Sequence, residues 1–351
     1  MRACVMRSGE LVVADVPDPR PEPGQLLVRT LACGICGSDL HFLKHAPSMV
    51  DLSDQLTPSL GELALALAPA IDLARDIVMG HEFCAEVLET GPDTSGPPAG
   101  TPVVSVPVLL TGTGLRQLAY NNDYPGGFAE RMLLSAPLVL PVPNGLEPRL
   151  AALTEPLAVG IHAVAVAGVT ARNAAAVVGC GPVGLAVISA LRIEGVEVIV
   201  ASDLSPARRA LALQLGATEV VDPRQEPLID AWRRVDAKRE LVCFEAVGVP
   251  GIVDSLLRDV PPGTQIVVVG VCMEPDTTRP FFASAKELCL RYVFAYTPDE
   301  FAQALRAISE GEVDISPMIT GEVGLDAMPA AFEDLGRPET HVKILVEPSG
   351  A

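Results

Sequence analysis

The sequence predicts an α/β chain in two parts, one β-rich and the other built on a doubly wound parallel sheet. Three observations carry this. The first third consists of short apolar or alternating segments punctuated by Pro and Gly. From residue 150 onward, strand-like runs alternate with helix-like ones, the pattern of parallel strands joined by crossover helices. At the first strand-to-helix junction of that second part lies a glycine-rich turn, Gly179-Cys180-Gly181-Pro182-Val183-Gly184.

Residues 1–6, 10–16 and 25–31 read as strands, with the Pro cluster at 17–23 as a turn-rich connection. Residues 83–89, 102–110 and 128–134 continue the β-rich pattern. The stretch 44–79 has a different texture. Its segment 59–68 is helix-prone, lies between Pro58 and Pro69, and is followed by 71–75, so it forms one or two short helices or a packed surface excursion. Leu43, Met49, Val50, Leu63, Leu65, Leu67 and Ile71 would either cover a cleft with apolar surface or pack onto the β-rich part. Residues 150–167 form an Ala-rich helix, followed by strand 174–178, the glycine turn and helix 183–193. Strand 196–202, helix 206–215 and strands 220–222, 241–246 and 265–271 follow. Beyond 297 come helices at 299–310 and 325–335 and a last strand at 342–347.

A chain of 351 residues can bury two cores. A formal charge of −19, with only Lys44, Lys238, Lys286 and Lys343 as lysines, argues against nucleic acid and anionic membrane as partners. The eight cysteines are scattered, unlike a secreted disulfide framework. The N-terminus has no apolar signal core, and the apolar runs fall short of a membrane span. The expectation is a cytoplasmic protein that acts on a small molecule.

The glycine turn follows an apolar strand and opens an apolar helix, which is the context dinucleotide binding requires. Gly179 permits the tight turn, Gly181 lets a pyrophosphate approach, and Gly184 lets helix pack on strand. Pro182 and Val183 open the helix whose free N–H groups would face the phosphates. Asp203 ends the next strand, where a carboxylate bonds the ribose hydroxyls and repels a 2′-phosphate, so NAD is preferred to NADP. Arg208 would border the adenine or partly offset that repulsion.

Cys36, His81 and Glu155 are candidate metal ligands. Cys33-Gly34-Ile35-Cys36 has C-x-x-C spacing, which alone would suit half a zinc knuckle or a redox pair. No second C-x-x-C completes a knuckle, so one cysteine is a spectator. His81 sits between a turn and a strand. Glu155 lies in an apolar helix, where a carboxylate needs a partner that a cation would supply. Three protein ligands leave a tetrahedral zinc one open position, the arrangement of a catalytic site.

Four motifs in order resemble the zinc-dependent medium-chain dehydrogenases/reductases: Cys33-Gly34-Ile35-Cys36-Gly37-Ser38-Asp39-Leu40-His41, Gly80-His81-Glu82, Glu155-Pro156-Leu157-Ala158 and the glycine turn. The polyol (sorbitol-type) and threonine dehydrogenase branches look most similar, because they carry Glu-Pro-Leu where classical alcohol dehydrogenases place a cysteine. The resemblance implies a GroES-like catalytic domain over residues 1–155 and 297–351, with a Rossmann domain inserted at 156–296. It matches Cys36, His81 and Glu155 to the catalytic zinc, and Glu82 to a neighbouring acid that can approach or ligate the metal. Ser38 matches the hydroxyl that takes the substrate proton, and His41 the imidazole further along that relay. Gly179, Gly181, Gly184 and Asp203 match cofactor positions, and Val269-Gly270-Val271 would line the nicotinamide. Homodimers or homotetramers are implied as well.

Two departures stand out. Relatives with a structural zinc carry four cysteines in the lobe after the strand near Pro102, whereas 102–128 contains none, so a single catalytic zinc is expected. The stretch 44–79 is longer than usual and leaves the substrate open. The function expected is hydride transfer between a secondary alcohol or polyol and NAD. The alternatives are a zinc-free quinone or enoyl reductase of the same fold and a non-catalytic nucleotide-binding member.

Overall fold

Alternating apolar residues and a two-residue turn at Ser8-Gly9, both in left-handed backbone, pair β1 (Arg2–Arg7) with β2 (Glu10–Asp15) as an antiparallel hairpin. The computed structural model to which this hairpin belongs describes residues 1–60, 71–337 and 339–349. After β3 (Gln25–Gly34) comes α1 (Gly37–Leu60), a 24-residue helix broken at His45, two residues before Pro47. A proline there clashes with the preceding turn and accounts for the break. The sequence reading missed this helix up to residue 58, and its helical segment 59–68 lies mostly outside the described residues. Leu43, Met49 and Ile71 pack against the core, whereas Leu63, Leu65 and Leu67 are outside the described residues.

The chain continues through β4 (Glu82–Thr90), β5 (Pro102–Ser105), β6 (Val108–Thr111), β7 (Gly114–Gln117), β8 (Arg131–Ser135) and β9 (Val139–Pro141). The single strand expected at 102–110 is two, because Pro107 has no N–H for a ladder and splits β5 from the β6–β7 hairpin. α2 (Pro148–Ala151) and α3 (Thr154–Ala167) follow. The helical run Pro148–Ala167 is, by length and mean hydropathy (1.7), apolar enough to cross a membrane, which corrects the expectation that no stretch is. Its most apolar window is 67% buried, as in a core helix.

The second compact unit, Pro156–Met318 with Pro338–Val342, holds six strands: β10 (Ala174–Val178), β11 (Val198–Ser202), β12 (Glu219–Val221), β13 (Leu241–Glu245), β14 (Gln265–Val268) and β15 (Cys289–Tyr292). All pair in parallel, in the order β12-β11-β10-β13-β14-β15. Numbered within the unit this is 3-2-1-4-5-6, the dinucleotide-binding order with its switch point beside β10. Helices α4 (Pro182–Ile193), α5 (Pro206–Gln214), α6 (Leu228–Asp236), α7 (Ile252–Asp259), α8 (Pro280–Lys286) and α9 (Pro298–Ser309) connect or flank the strands. The sequence reading missed α6, α7, α8 and β15. The three helices have at most nine residues, too few turns for periodicity to stand out.

Thr297 and Glu300 form a capping box at the start of α9, and Glu300 also bonds His162 Nδ1 of α3 at 2.9 Å. α9 therefore stays with the second unit, and the return expected at 297 falls at Ile319. There β16 (Ile319–Val323), α10 (Met328–Leu335) and β17 (Lys343–Val346) rejoin the first unit, Met1–Glu155. Its main sheet runs β16-β17-β3-β4-β5-β9, with β8 also on β3. Antiparallel pairing of β17 with β3 sets Leu345 opposite Gly34, and this register brings Lys343 to the end of β3. Each unit has its own apolar core.

Candidate active site

β3 ends at Gly34, and α1 begins three residues later. Asp39, in the first turn, reaches back so that its Oδ2 accepts the Cys36 N–H at 2.9 Å. That bond fixes the Cys36 loop from within the helix it opens. Gly80 has φ +97°, and a Cβ there would lie 2.7 Å from Phe128 Cδ1 and 2.9 Å from Cys33 Sγ. Only glycine lets the chain turn here and deliver His81. Glu82 opens β4 opposite Gly34, where a Cβ would come within 2.0 Å of Glu82 Oε2.

These turns bring one donor atom each of Cys36, His81 and Glu82 within 4.8 Å of one another. Lys343, fully buried, donates to Glu82 Oε1 and Oε2 at 2.7 and 2.6 Å and to the Ile35 carbonyl at 3.1 Å. A carboxylate has about four lone-pair sites, so the lysine leaves room for a metal on Glu82. Among the described residues, His81 Nδ1 is buried without a hydrogen-bond partner and lies 3.6 Å from Asp39 Oδ1. Burial alone would lower the His81 pKa, but the charges of Asp39 and then Cys36 push it well above its ordinary value. A buried imidazole with an orphaned nitrogen, beside a cysteine sulfur and a carboxylate, offers the donor set of a zinc ion.

The expected third ligand, Glu155, is not in this group; Glu82, expected as the neighbouring acid, is. Glu155 lies in the first turn of α3, nearly buried, within electrostatic reach of Lys343. Ser38 is half-buried beside Tyr120, whose hydroxyl is 3.0 Å from Ser38 Oγ and 2.7 Å from Asp39 Oδ1. His41 follows one turn later on α1, exposed, its pKa lowered by partial desolvation and then by His45 and Lys44. Sequence reasoning gave no role to Asp39, Tyr120 or Lys343. Lys343 carried a signal, a lone lysine opening an apolar terminal strand. Tyr120 carried none.

In the second unit, Gly179 adopts φ +94°, and a Cβ on Gly184 would lie 1.8 Å from the Gly179 carbonyl oxygen. Gly181 is different, because a Cβ there would meet only Arg208 Nη1, at 3.8 Å. The protein itself does not need glycine at 181, whereas a phosphate drawing close to the backbone does. Pro182 and Val183 open α4, and Gly181 offers its first N–H groups no side-chain cap. Asp203 Oδ2 accepts the Cys180 N–H and Oδ1 the Ser205 N–H, each at 2.8 Å. Arg208 Nε is buried beside the turn without a hydrogen-bond partner among the described residues. At the end of β14, Val269 and Gly270 donate to the Glu245 carbonyl, and Val271 is exposed. This turn fits a dinucleotide phosphate.

Residues 22–144 match the family model for the alcohol dehydrogenase GroES-like domain, and residues 182–310 that for a zinc-binding dehydrogenase. A (R,R)-butanediol dehydrogenase of Bacillus subtilis is 31% identical over 97% of both chains. The chain belongs to the zinc-dependent medium-chain dehydrogenases/reductases. A second relative in this family, a (R,R)-butanediol dehydrogenase of Neisseria gonorrhoeae, is 29% identical over 97% of both chains. The crystal structure of 2R,3R-butanediol dehydrogenase from Bacillus subtilis superposes with a TM-score of 0.83 at 28% identity, over 99% of both chains. As a medium-chain dehydrogenase with GroES-like and Rossmann parts, the protein is an oxidoreductase of CH–OH donors.

Proposed function

We propose that the protein interconverts a secondary alcohol or polyol with its carbonyl compound, using NAD and one catalytic zinc. The observation that carries this reading is the convergence of Cys36, His81 and Glu82 donor atoms beside Ser38. Cys36, His81 and Glu82 hold the metal, and Glu155 is the second acid at its border. When bound, zinc supplies Lewis acidity toward the alcohol oxygen, and the nicotinamide accepts hydride. Lys343 holds the Glu82 carboxylate in one orientation, the way outer-shell partners orient ligands. Ser38 takes the alcohol proton, and His41 returns it to solvent.

Gly179, Gly181, Gly184 and the N-terminus of α4 bind the pyrophosphate, with Arg208 adding positive charge. Asp203 selects NAD over NADP through its carboxylate, and Val269, Gly270 and Val271 border the nicotinamide. The butanediol dehydrogenases among the relatives favour a small vicinal diol within the wider class. We also propose a cytoplasmic homodimer or homotetramer without nucleic-acid or membrane partners. The edge strand β15, with Tyr292 exposed and Phe294 exposed just beyond it, supports such self-association. A parallel screen of primary and secondary alcohols, diols, polyols and hydroxy acids with NAD and NADP tests the reading. It predicts NADH formation with secondary alcohols or diols. No turnover across the panel would favour a non-catalytic member, and quinone or enoyl reduction without zinc would favour the zinc-free reductase.

A further inference from the structure

Tyr120 comes from the shortened, cysteine-free lobe at 102–128, and its hydroxyl ends in the site. The chain makes an unusual turn to bring it there. Ala119, fully buried, has φ +76°, and the Tyr120 N–H donates to the Leu118 carbonyl two residues back at 3.0 Å. A γ-turn with positive φ on a residue that has a Cβ is rare and strained, and such strain persists only where the surroundings enforce it. Gly126 makes room for it, since a Cβ there would lie 2.7 Å from Ala119 Cβ. The Tyr120 ring is nearly buried, packed 5.0 Å from Phe42 and 5.6 Å from His81 between centroids.

The phenol oxygen has two oxygen neighbours and one proton. Asp39 Oδ1, on a fully buried carboxylate that has only acceptors, takes that proton at 2.7 Å. The longer arm of the same O–H reaches Ser38 Oγ at 3.0 Å, which accepts it. The phenol thus engages one Ser38 lone pair, and among the described residues the serine's other lone pair and its own proton have no hydrogen-bond partner. We propose that Tyr120 is a positioning residue that holds Ser38 Oγ by one lone pair, so that the other takes the substrate proton while the serine's own proton passes on toward His41. The inference rests on the proposed role of Ser38. It assigns the short lobe a part in the reaction, through a hydroxyl anchored on Asp39.

The test is a double-mutant cycle of Tyr120→Phe and Ser38→Ala, with kcat, KM, zinc content and unfolding temperature measured for each variant. Phe keeps the ring packing and removes only the oxygen. Tyr120→Phe is expected to lower kcat about tenfold, part of the 10²–10⁴ that positioned acid–base groups supply, with KM within about twofold. Zinc should stay at its wild-type stoichiometry, and the solvent isotope effect on kcat should rise. In the Ser38→Ala background the same change should have no further effect on kcat. An equal fall in both backgrounds, unchanged kcat in Tyr120→Phe, or loss of zinc along with activity would overturn the inference. A Ser38→Ala enzyme with wild-type kcat would instead remove the serine relay itself.

Discussion

Lys343→Met tests whether the Glu82 carboxylate is held from below, because methionine nearly matches the lysine stem and lacks the charged ammonium with its N–H donors. Lys343 is fully buried, makes both Glu82 contacts at 2.6–2.7 Å and also satisfies the Ile35 carbonyl. Burial alone would lower its pKa, but Glu82, and then Cys36, hold it above the ordinary lysine value. Removing one partner of a buried ion pair costs about 3–5 kcal/mol, because the other charge stays behind uncompensated. For a unit of this size that is a fall of roughly 10 °C in unfolding temperature. A metal on Glu82 would answer the stranded charge, so the loss should be smaller with zinc than after chelation. The assay is thermal unfolding of both proteins, zinc-loaded and EDTA-treated, together with zinc affinity, which should weaken about 10–100-fold. A metal-free Lys343→Met protein within about 1 kcal/mol of wild type would refute the reasoning.

Other outcomes follow from neighbouring geometry. Glu82→Ala should weaken zinc binding by more than the about 10–100-fold typical of outer-shell changes, and Glu155→Ala should fall within that range; competition with a chromophoric chelator reads both. Gly184→Ala puts a Cβ 1.8 Å from the Gly179 carbonyl oxygen, and calorimetric titration should show NADH affinity reduced at least about tenfold. Burial pushes the Glu245 carboxyl above its ordinary value, so its ionisation lowers stability as pH rises past the unfolded glutamate pKa. Glu245→Gln keeps an acceptor for the Val247 and Gly248 N–H groups, which now bond Oε1 at 2.7 and 2.9 Å. It should raise the unfolding temperature at neutral pH, with the gain vanishing toward about pH 4.

What the sequence made legible was local. Cys36, Gly80-His81-Glu82 and the turn from Gly179 to Gly184 each carry their geometry within a few residues, and the alternation after residue 150 announces a parallel sheet. What it concealed depends on distance along the chain. Lys343 meets Glu82 across 261 positions and Tyr120 meets Ser38 across 82, and no periodicity reports either meeting. Glu155 reads as a ligand because its apolar helix leaves a carboxylate in need of a partner, yet Glu82 lies in the donor group because β4 pairs it with Gly34. α1 was concealed for a local reason, since Pro47 and Pro58 look like breaks but sit at a kink and near the helix end.

The central claim is that Cys36 holds the zinc on which alcohol oxidation depends. The most direct measurement is alcohol-dependent NADH formation by the Cys36→Ser protein, with its zinc content determined on the same sample. The account predicts about one zinc per chain and turnover in the wild type, and neither in the variant. Full activity in a zinc-free Cys36→Ser protein would contradict it.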